Sequence, residues 1–191
     1  MPEQLNDVGQ SGGVSELSEL VALPQLAVLS ELAARVVVGL GAAGFRLNLA
    51  ESLTGGMIAN ALVGVPGASR VLLAGVVAYD DSAKAQILGV GGGVLEQFGA
   101  VSEQCALAMA SGARALVSPS GVASEKILGL STTGVAGPDL QEGKPVGQVH
   151  IAVATDAGST VRSFRFDGDR AQIRAQAAIA ALHLLLEEIG S

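Results

Sequence analysis

Apolar positions along this chain repeat with two periods, and the switches between them mark out the elements. From Pro24 onward, Leu26, Leu29, Leu32, Ala33, Val36, Val37 and Leu40 fall at helical spacing, and Gly39, Gly41 and Gly44 close the run. Proline near its start and glycines past its end fit the usual asymmetry of helix ends. Phe45, Leu47 and Leu49 then alternate with Arg46 and Asn48, which predicts a strand over 45–50 with one buried face. A helix follows over 53–62 and stops at Gly64-Val65-Pro66-Gly67. Residues 75–79 read as a strand that is apolar on both faces and therefore central in its sheet. Ser82 should cap a short helix over 83–88, and Gly91-Gly92-Gly93 reads as loop. A longer helix over 102–117 begins with Ser102 as its cap. A polar loop at 118–124 leads to a strand over 127–132, and a Gly/Pro-rich loop fills 134–146. Strands at 148–155 and 160–166 flank the hairpin loop Asp156-Ala157-Gly158-Ser159. The last helix starts near Asp169 and carries Ile173, Ala177, Ala180 and Leu184 along one face.

These elements predict an α/β fold: a mixed sheet of about five strands with helices on both faces, in three α/β/α layers. Residues 24–191 form one domain, and the polar, acidic stretch 1–23 is expected to be a disordered tail. Composition sharpens this picture. Hydrophobic residues make up 49% and charged residues 15%, and there are 26 glycines but few aromatics, so small side chains should pack tightly between the layers. No uninterrupted apolar run reaches the ~18 residues of a membrane span, and no basic-then-apolar leader opens the chain. The expectation is a cytoplasmic protein that engages no membrane. A net charge of −7 argues against a nucleic-acid partner, which needs a basic footprint. The single cysteine, Cys105, lies in an Ala-rich helical run as an inert core thiol. His150 and His183 are far apart and sit in no His/Cys motif, so no metal and no cofactor is expected.

Four short blocks could carry chemistry. Ala50-Glu51-Ser52-Leu53-Thr54-Gly55-Gly56 puts a hydroxyl pair and two glycines at a strand-to-helix junction. Small residues there let a substrate approach the backbone and its unpaired amides; an ordinary N-cap and tight turn would use the same residues. Tyr79-Asp80-Asp81-Ser82-Ala83-Lys84 holds the one tyrosine and a lysine in the first turn of a helix. A cation there opposes the macrodipole, a poor choice for stability but a useful one for a base, since the ammonium form is disfavoured. The bland alternative is a solvated surface lysine. Ser131-Thr132-Thr133-Gly134-Val135-Ala136-Gly137-Pro138 ends a strand, where α/β sheets bind ligands. Asp167-Gly168-Asp169-Arg170 opens the last helix, where Arg170, with Arg174 one turn on, could hold a phosphate. Two other glycine runs fail as phosphate-binding motifs. Gly89 to Gly93 follows a helical segment rather than a strand, and Gly137 to Lys144 has the wrong spacing, with Pro145 where a hydroxyl belongs.

Taken in order, Glu51-Ser52-Leu53-Thr54-Gly55-Gly56, Gly75-Val76-Val77-Ala78-Tyr79 with Lys84, Gly99-Ala100-Val101-Ser102-Glu103, Thr133 to Pro138 with Lys144-Pro145-Val146-Gly147, and Gly168-Asp169-Arg170 form one pattern. It resembles the C-terminal domain of the competence/damage-inducible protein CinA, whose stand-alone members are nicotinamide-nucleotide amidases, over residues 25–189. The resemblance implies hydrolysis of the carboxamide of nicotinamide mononucleotide to nicotinate mononucleotide and ammonia by a serine–lysine pair. Ser52 matches the nucleophile and Lys84 the base, while Tyr79, Thr133, Gly134 and Arg170 match positions lining the substrate site. Arg170 would meet the nucleotide phosphate or form a structural ion pair. The amides of Thr54 and Gly55, also expected to bind substrate, are candidates for the oxyanion hole. The resemblance further suggests a homodimer. Two departures stand out: Leu53 replaces the family's usual cysteine, and Asp139-Leu140-Gln141-Glu142-Gly143 replaces a more glycine-rich loop. They motivate a second expectation, an inactive nucleotide-binding or interaction module of the same fold.

Overall fold

The computed structural model describes residues 15–190, with side-chain environments from Gln25 onward. The expectation of a disordered tail falls, for residues 1–14, outside the described residues. Helix α1 spans Ser15–Ala43 and so begins upstream of Pro24, where the apolar spacing starts. It is followed by β1 (Arg46–Glu51), α2 (Met57–Val63), β2 (Leu72–Val77), α3 (Asp81–Leu88), α4 (Gly92–Phe98) and α5 (Glu103–Leu116). Strands β3 (Ile127–Gly134), β4 (Gln148–Ala154) and β5 (Ser159–Arg165) and helix α6 (Arg170–Glu188) complete the described chain.

The five strands lie in the order β2-β1-β3-β4-β5. β1 runs parallel to both β2 and β3, whereas β3–β4 and β4–β5 pair antiparallel, so the sheet is mixed as predicted. Alternation along the strands sorts side chains between two cores. On one face Leu47, Leu49, Leu128, Leu130, Ile151 and Val153 meet α1, α2 and α6. On the other, Ala50, Ala152 and Ala154 leave room for α5 to lie close against β1, β3 and β4. The closeness has a specific cause at Gly129, where an added Cβ would run into the Ala110 carbonyl and the backbone of Arg114. This is the three-layer α/β/α fold expected from the pattern.

Three local expectations are corrected. β2 is an edge strand, not a central one: it pairs with β1 alone, and its apolar character reflects partial cover by helices on both faces. Gly91-Gly92-Gly93 is not a free loop, because Gly92 and Gly93 form the first turn of α4, whose Val94 and Leu95 pack on the α5-side core. The cap of α3 is Asp80, whose carboxylate accepts from the Ser82 amide at 2.8 Å, rather than Ser82 itself. β2 also starts three residues before the predicted Gly75, at Leu72, whereas the predicted starts of α5 and α6 hold. Ser102 caps α5 by accepting from the Cys105 amide, and Asp169 caps α6 in a reciprocal capping box with Gln172.

One stretch of α1, Gln25–Ala43, is long and apolar enough to cross a bilayer, with a mean hydropathy of 1.7. In this fold Leu29, Leu32, Val36 and Leu40 on its inner face are core residues packed toward α6 and α2, while Leu26, Val28 and Val38 are exposed.

Candidate active site

β1 ends in the heptapeptide turn. The Ser52 amide continues the ladder by donating to the Thr132 carbonyl at 3.0 Å. The chain then folds back, with the Gly55 amide donating to the Ser52 carbonyl at 3.1 Å, and Gly55 and Gly56 take left-handed φ values of 61° and 89°. α2 therefore starts at Met57, four residues later than the predicted Leu53. Glu51, 2% exposed, turns back beneath this turn, and its carboxylate accepts from the amides of Gly56 (3.0 Å), Ile58 (3.2 Å) and Ala59 (2.8 Å). It fills the helix N-terminus that an external anion would otherwise find open.

From the other side α6 supplies Arg174, whose Nε donates to the Leu53 carbonyl at 2.9 Å and Nη2 to the Thr54 carbonyl at 3.0 Å. The Thr54 hydroxyl is buried against that of Thr132 at 2.8 Å. Leu53 is 3% exposed and belongs to the main apolar core, so the hydrophobe that stands beside Ser52 points inward. Ser52 is left with a hydroxyl that touches the cleft and has no protein partner among the described residues.

The second wall comes from the β2–α3 junction. The hydroxyl and then the amide of Ser82 lower the Asp80 carboxyl from its ordinary value, with a smaller contribution from Lys84. Its cap starts α3 so that Lys84, one turn in, reaches inward and is 1% exposed. The Lys84 ammonium donates to the Tyr79 carbonyl at 2.9 Å and to Asp81 at 3.0 Å. A fully buried lysine, rather than a solvated one, is what the structure places here. Tyr79 itself is 59% exposed, and its hydroxyl accepts from Arg170 Nη2 at 2.9 Å. Arg170 Nη1 donates to the Gly137 carbonyl at 2.6 Å, so this guanidinium bridges two neutral acceptors and makes no ion pair among the described residues.

The third wall is the end of β3 and the loop after it. The Thr133 hydroxyl donates to the Ala100 carbonyl at 2.7 Å, and the Ala100 amide donates to Glu142 at 3.0 Å. Glu142 thus ties the 139–143 loop to the start of α5 and holds Asp139 and Gln141 at the cleft. Behind Thr133, its cross-strand partner His150 contacts Ser163 through Nδ1, and Ser163 donates on to Glu103. Burial keeps His150 below the ordinary histidine range, against the opposing pull of Glu103. Cys105 lies in the α5-side core, where burial pushes its thiol up to about 11, in keeping with an inert role.

The resulting cleft, about 80 Å3, is lined by Ser52, Tyr79, Lys84, Thr133, Gly134 and Arg170 among others. Six of the residues singled out from sequence are therefore brought together. Thr54 and Gly55 are not among them: the Thr54 side chain is spent on Thr132, and the Gly55 amide is spent on the Ser52 carbonyl. The two amides of the turn without an acceptor among the described residues are those of Leu53 and Thr54. Sequence reasoning missed Glu51, Glu142 and the true partners of Arg174. Glu51 stood inside the quoted turn, but nothing in its spacing says that a strand-end carboxylate will fold back onto the next helix.

The model of the CinA C-terminal domain matches residues 29–189. The chain belongs to the CinA C-terminal domain family. A putative competence-damage inducible protein of Desulforamulus reducens is 49% identical over 74% of this chain and 33% of its own length. A CinA-like protein of Frankia casuarinae is 47% identical over 73% of this chain and 30% of its own length. The chain thus spans about a third of the length of the curated relatives it matches. Solved structures match over nearly their whole length: the competence/damage inducible protein of Agrobacterium tumefaciens superposes with a TM-score of 0.76 at 37% identity, covering 86% of this chain and 96% of that one. A CinA superfamily protein of Klebsiella pneumoniae gives 0.78 at 34% identity, covering 85% and 98%. Within this CinA domain, residues 52, 84, 133 and 170 come from four different elements or junctions yet line one cleft.

Proposed function

We propose that this CinA domain is a nicotinamide-nucleotide amidase that converts nicotinamide mononucleotide and water to nicotinate mononucleotide and ammonia. The observation that carries the reading is the pairing of an unpartnered serine hydroxyl with a lysine 1% exposed in the same cleft. In the first half-reaction Ser52 Oγ bonds to the carboxamide carbon while Lys84 takes its proton. Collapse of the tetrahedral species breaks the C–N bond, and Lys84 returns that proton to the departing ammonia. Water then attacks the acyl-serine with Lys84 again as base, freeing the acid and restoring Ser52. The negative oxygen of each tetrahedral species needs donors, and the free Leu53 amide, next to Ser52 at the cleft, is suited to it. Lys84 is bonded to Tyr79 and Asp81 in the unliganded cleft, and such contacts commonly reorganise when substrate binds. Tyr79, Thr133, Gly134 and Arg170 bind the substrate, with Arg170 facing its phosphate. The protein acts as a cytoplasmic homodimer, with no metal and no cofactor.

The test is ammonia release from nicotinamide mononucleotide, free nicotinamide and the dinucleotide, followed in a coupled assay. The mononucleotide should be hydrolysed and Ser52→Ala should abolish turnover. Turnover surviving in Ser52→Ala would remove the mechanism. Tight nucleotide binding by calorimetry with no product from the unaltered protein would favour an inactive binding module instead.

A further inference from the structure

Arg174 lies on the same face of α6 as Arg170 but does not line the cleft. Both of its recorded bonds go to main-chain carbonyls of the nucleophile turn, those of Leu53 and Thr54. A trans peptide is planar, with its C=O and N–H pointing in opposite directions. Anchoring the Leu53 carbonyl to Arg174 therefore aims the Thr54 amide away from the arginine. Anchoring the Thr54 carbonyl does the same for the Gly55 amide, which is taken up by the Ser52 carbonyl at 3.1 Å. Glu51 holds the Gly56, Ile58 and Ala59 amides from below. Of the amides from Leu53 to Gly56, those of Leu53 and Thr54 remain uncommitted. Gly55 makes the approach possible: a Cβ there would sit 3.1 Å from Arg174 Nη2, on a backbone already in the left-handed region.

We propose that Arg174 is a positioning residue, not a phosphate ligand: by holding the carbonyls of Leu53 and Thr54 it fixes the backbone of the nucleophile turn and, through that backbone, the placement of Ser52 Oγ at the cleft. The proposal rests on the amidase reading for its chemistry and on the turn geometry for its structure, and the two are tested separately. Steady-state kinetics on nicotinamide mononucleotide with Arg174→Gln and Arg174→Lys should show kcat reduced about 100-fold, the usual loss when a reacting group is displaced by about 1 Å. KM should stay within about threefold, because the interaction matters in the transition state. A phosphate ligand would behave oppositely, with KM raised tenfold or more and kcat largely kept, and that result overturns the proposal.

The activity-independent arm is the amide spectrum of 15N-labelled protein. In both variants the Thr54 and Gly55 resonances should shift and their exchange quicken, while residues of β4 stay in place and the melting temperature confirms the fold. Should the unaltered protein release no ammonia, the amidase reading fails by itself and this spectrum still decides the clamp. Thr54 and Gly55 amides unmoved in both variants would sink it.

Discussion

The two strand-to-helix junctions that face each other across the cleft are built on opposite plans. After β1, the turn carrying Ser52 is wired at every level. Glu51 takes three amides, Arg174 takes two carbonyls, Thr54 is buried on Thr132 and Leu53 is in the core. After β2, the junction carrying Lys84 is open. Tyr79 and Asp80 are exposed, Asp81 is half-exposed, and from Tyr79 to Lys84 only the lysine itself is buried. A nucleophile on a short side chain can be placed only by placing its backbone. A base on a four-carbon stem can be placed by its own reach, so its junction is free to be simple. Placement by backbone couples catalysis to stability, and placement by side chain does not.

That contrast can be broken or sharpened by substitution. The largest effect is expected from Lys84→Met, which keeps the stem and deletes the ammonium. Turnover should fall by about 1,000-fold or more, yet unfolding in urea should shift by less than about 1 kcal/mol, since burying a charge earns little net stability. A large loss of stability would show that this junction is wired after all. Glu51→Ala tests the other side. It leaves the Gly56, Ile58 and Ala59 amides without their acceptor, so stability should fall by about 2–3 kcal/mol, with kcat falling alongside because the turn loosens. Unchanged stability would mean that solvent replaces the carboxylate freely.

Thr54→Val is a finer probe. It removes one buried hydroxyl contact at nearly constant volume and should cost about 1 kcal/mol. Activity should stay close to that of the unaltered protein, because this side chain faces Thr132 and not the cleft. A collapse of kcat with no effect on stability would return Thr54 to the substrate site. The smallest effect is that of acid on the open junction. The folded-state pKa of Asp80 is depressed below its ordinary 3.8, so its contribution is complete above that value and is lost as pH falls through the folded value. Asp80→Ser keeps a cap without a titration. Unfolding curves across the acid range should therefore be less steep with pH in that variant, and identical slopes would contradict the assignment.

Much of this could be read from the chain because the relevant forces are local. The Ser102 and Asp169 caps, the β4–β5 hairpin and the alternation in β1 depend on residues a few positions apart. The central position assigned to β2 failed because an apolar strand reads alike whether helices or strands cover it. Helix α4 was hidden because three glycines signal a loop, and only packing of Val94 and Leu95 against the α5-side core overrides that signal. At the site, residue types and order pointed to Ser52, Lys84, Thr133 and Arg170, all of which reach the cleft. Arg174 could not be assigned from its position: spacing puts it one turn beyond Arg170, but whether it meets an anion or a carbonyl depends on how α6 lies against a turn formed much earlier in the chain.

The bond from Arg174 to the Leu53 carbonyl joins residues 121 positions apart. On the ribosome, the strand and turn bearing the serine are made before the helix that grips their carbonyls. A nascent chain therefore carries Ser52 through the synthesis of about 120 further residues before the turn has its full set of partners, and a chain stopped before residue 170 never acquires them. The nucleophile turn is complete only once α6 has been made.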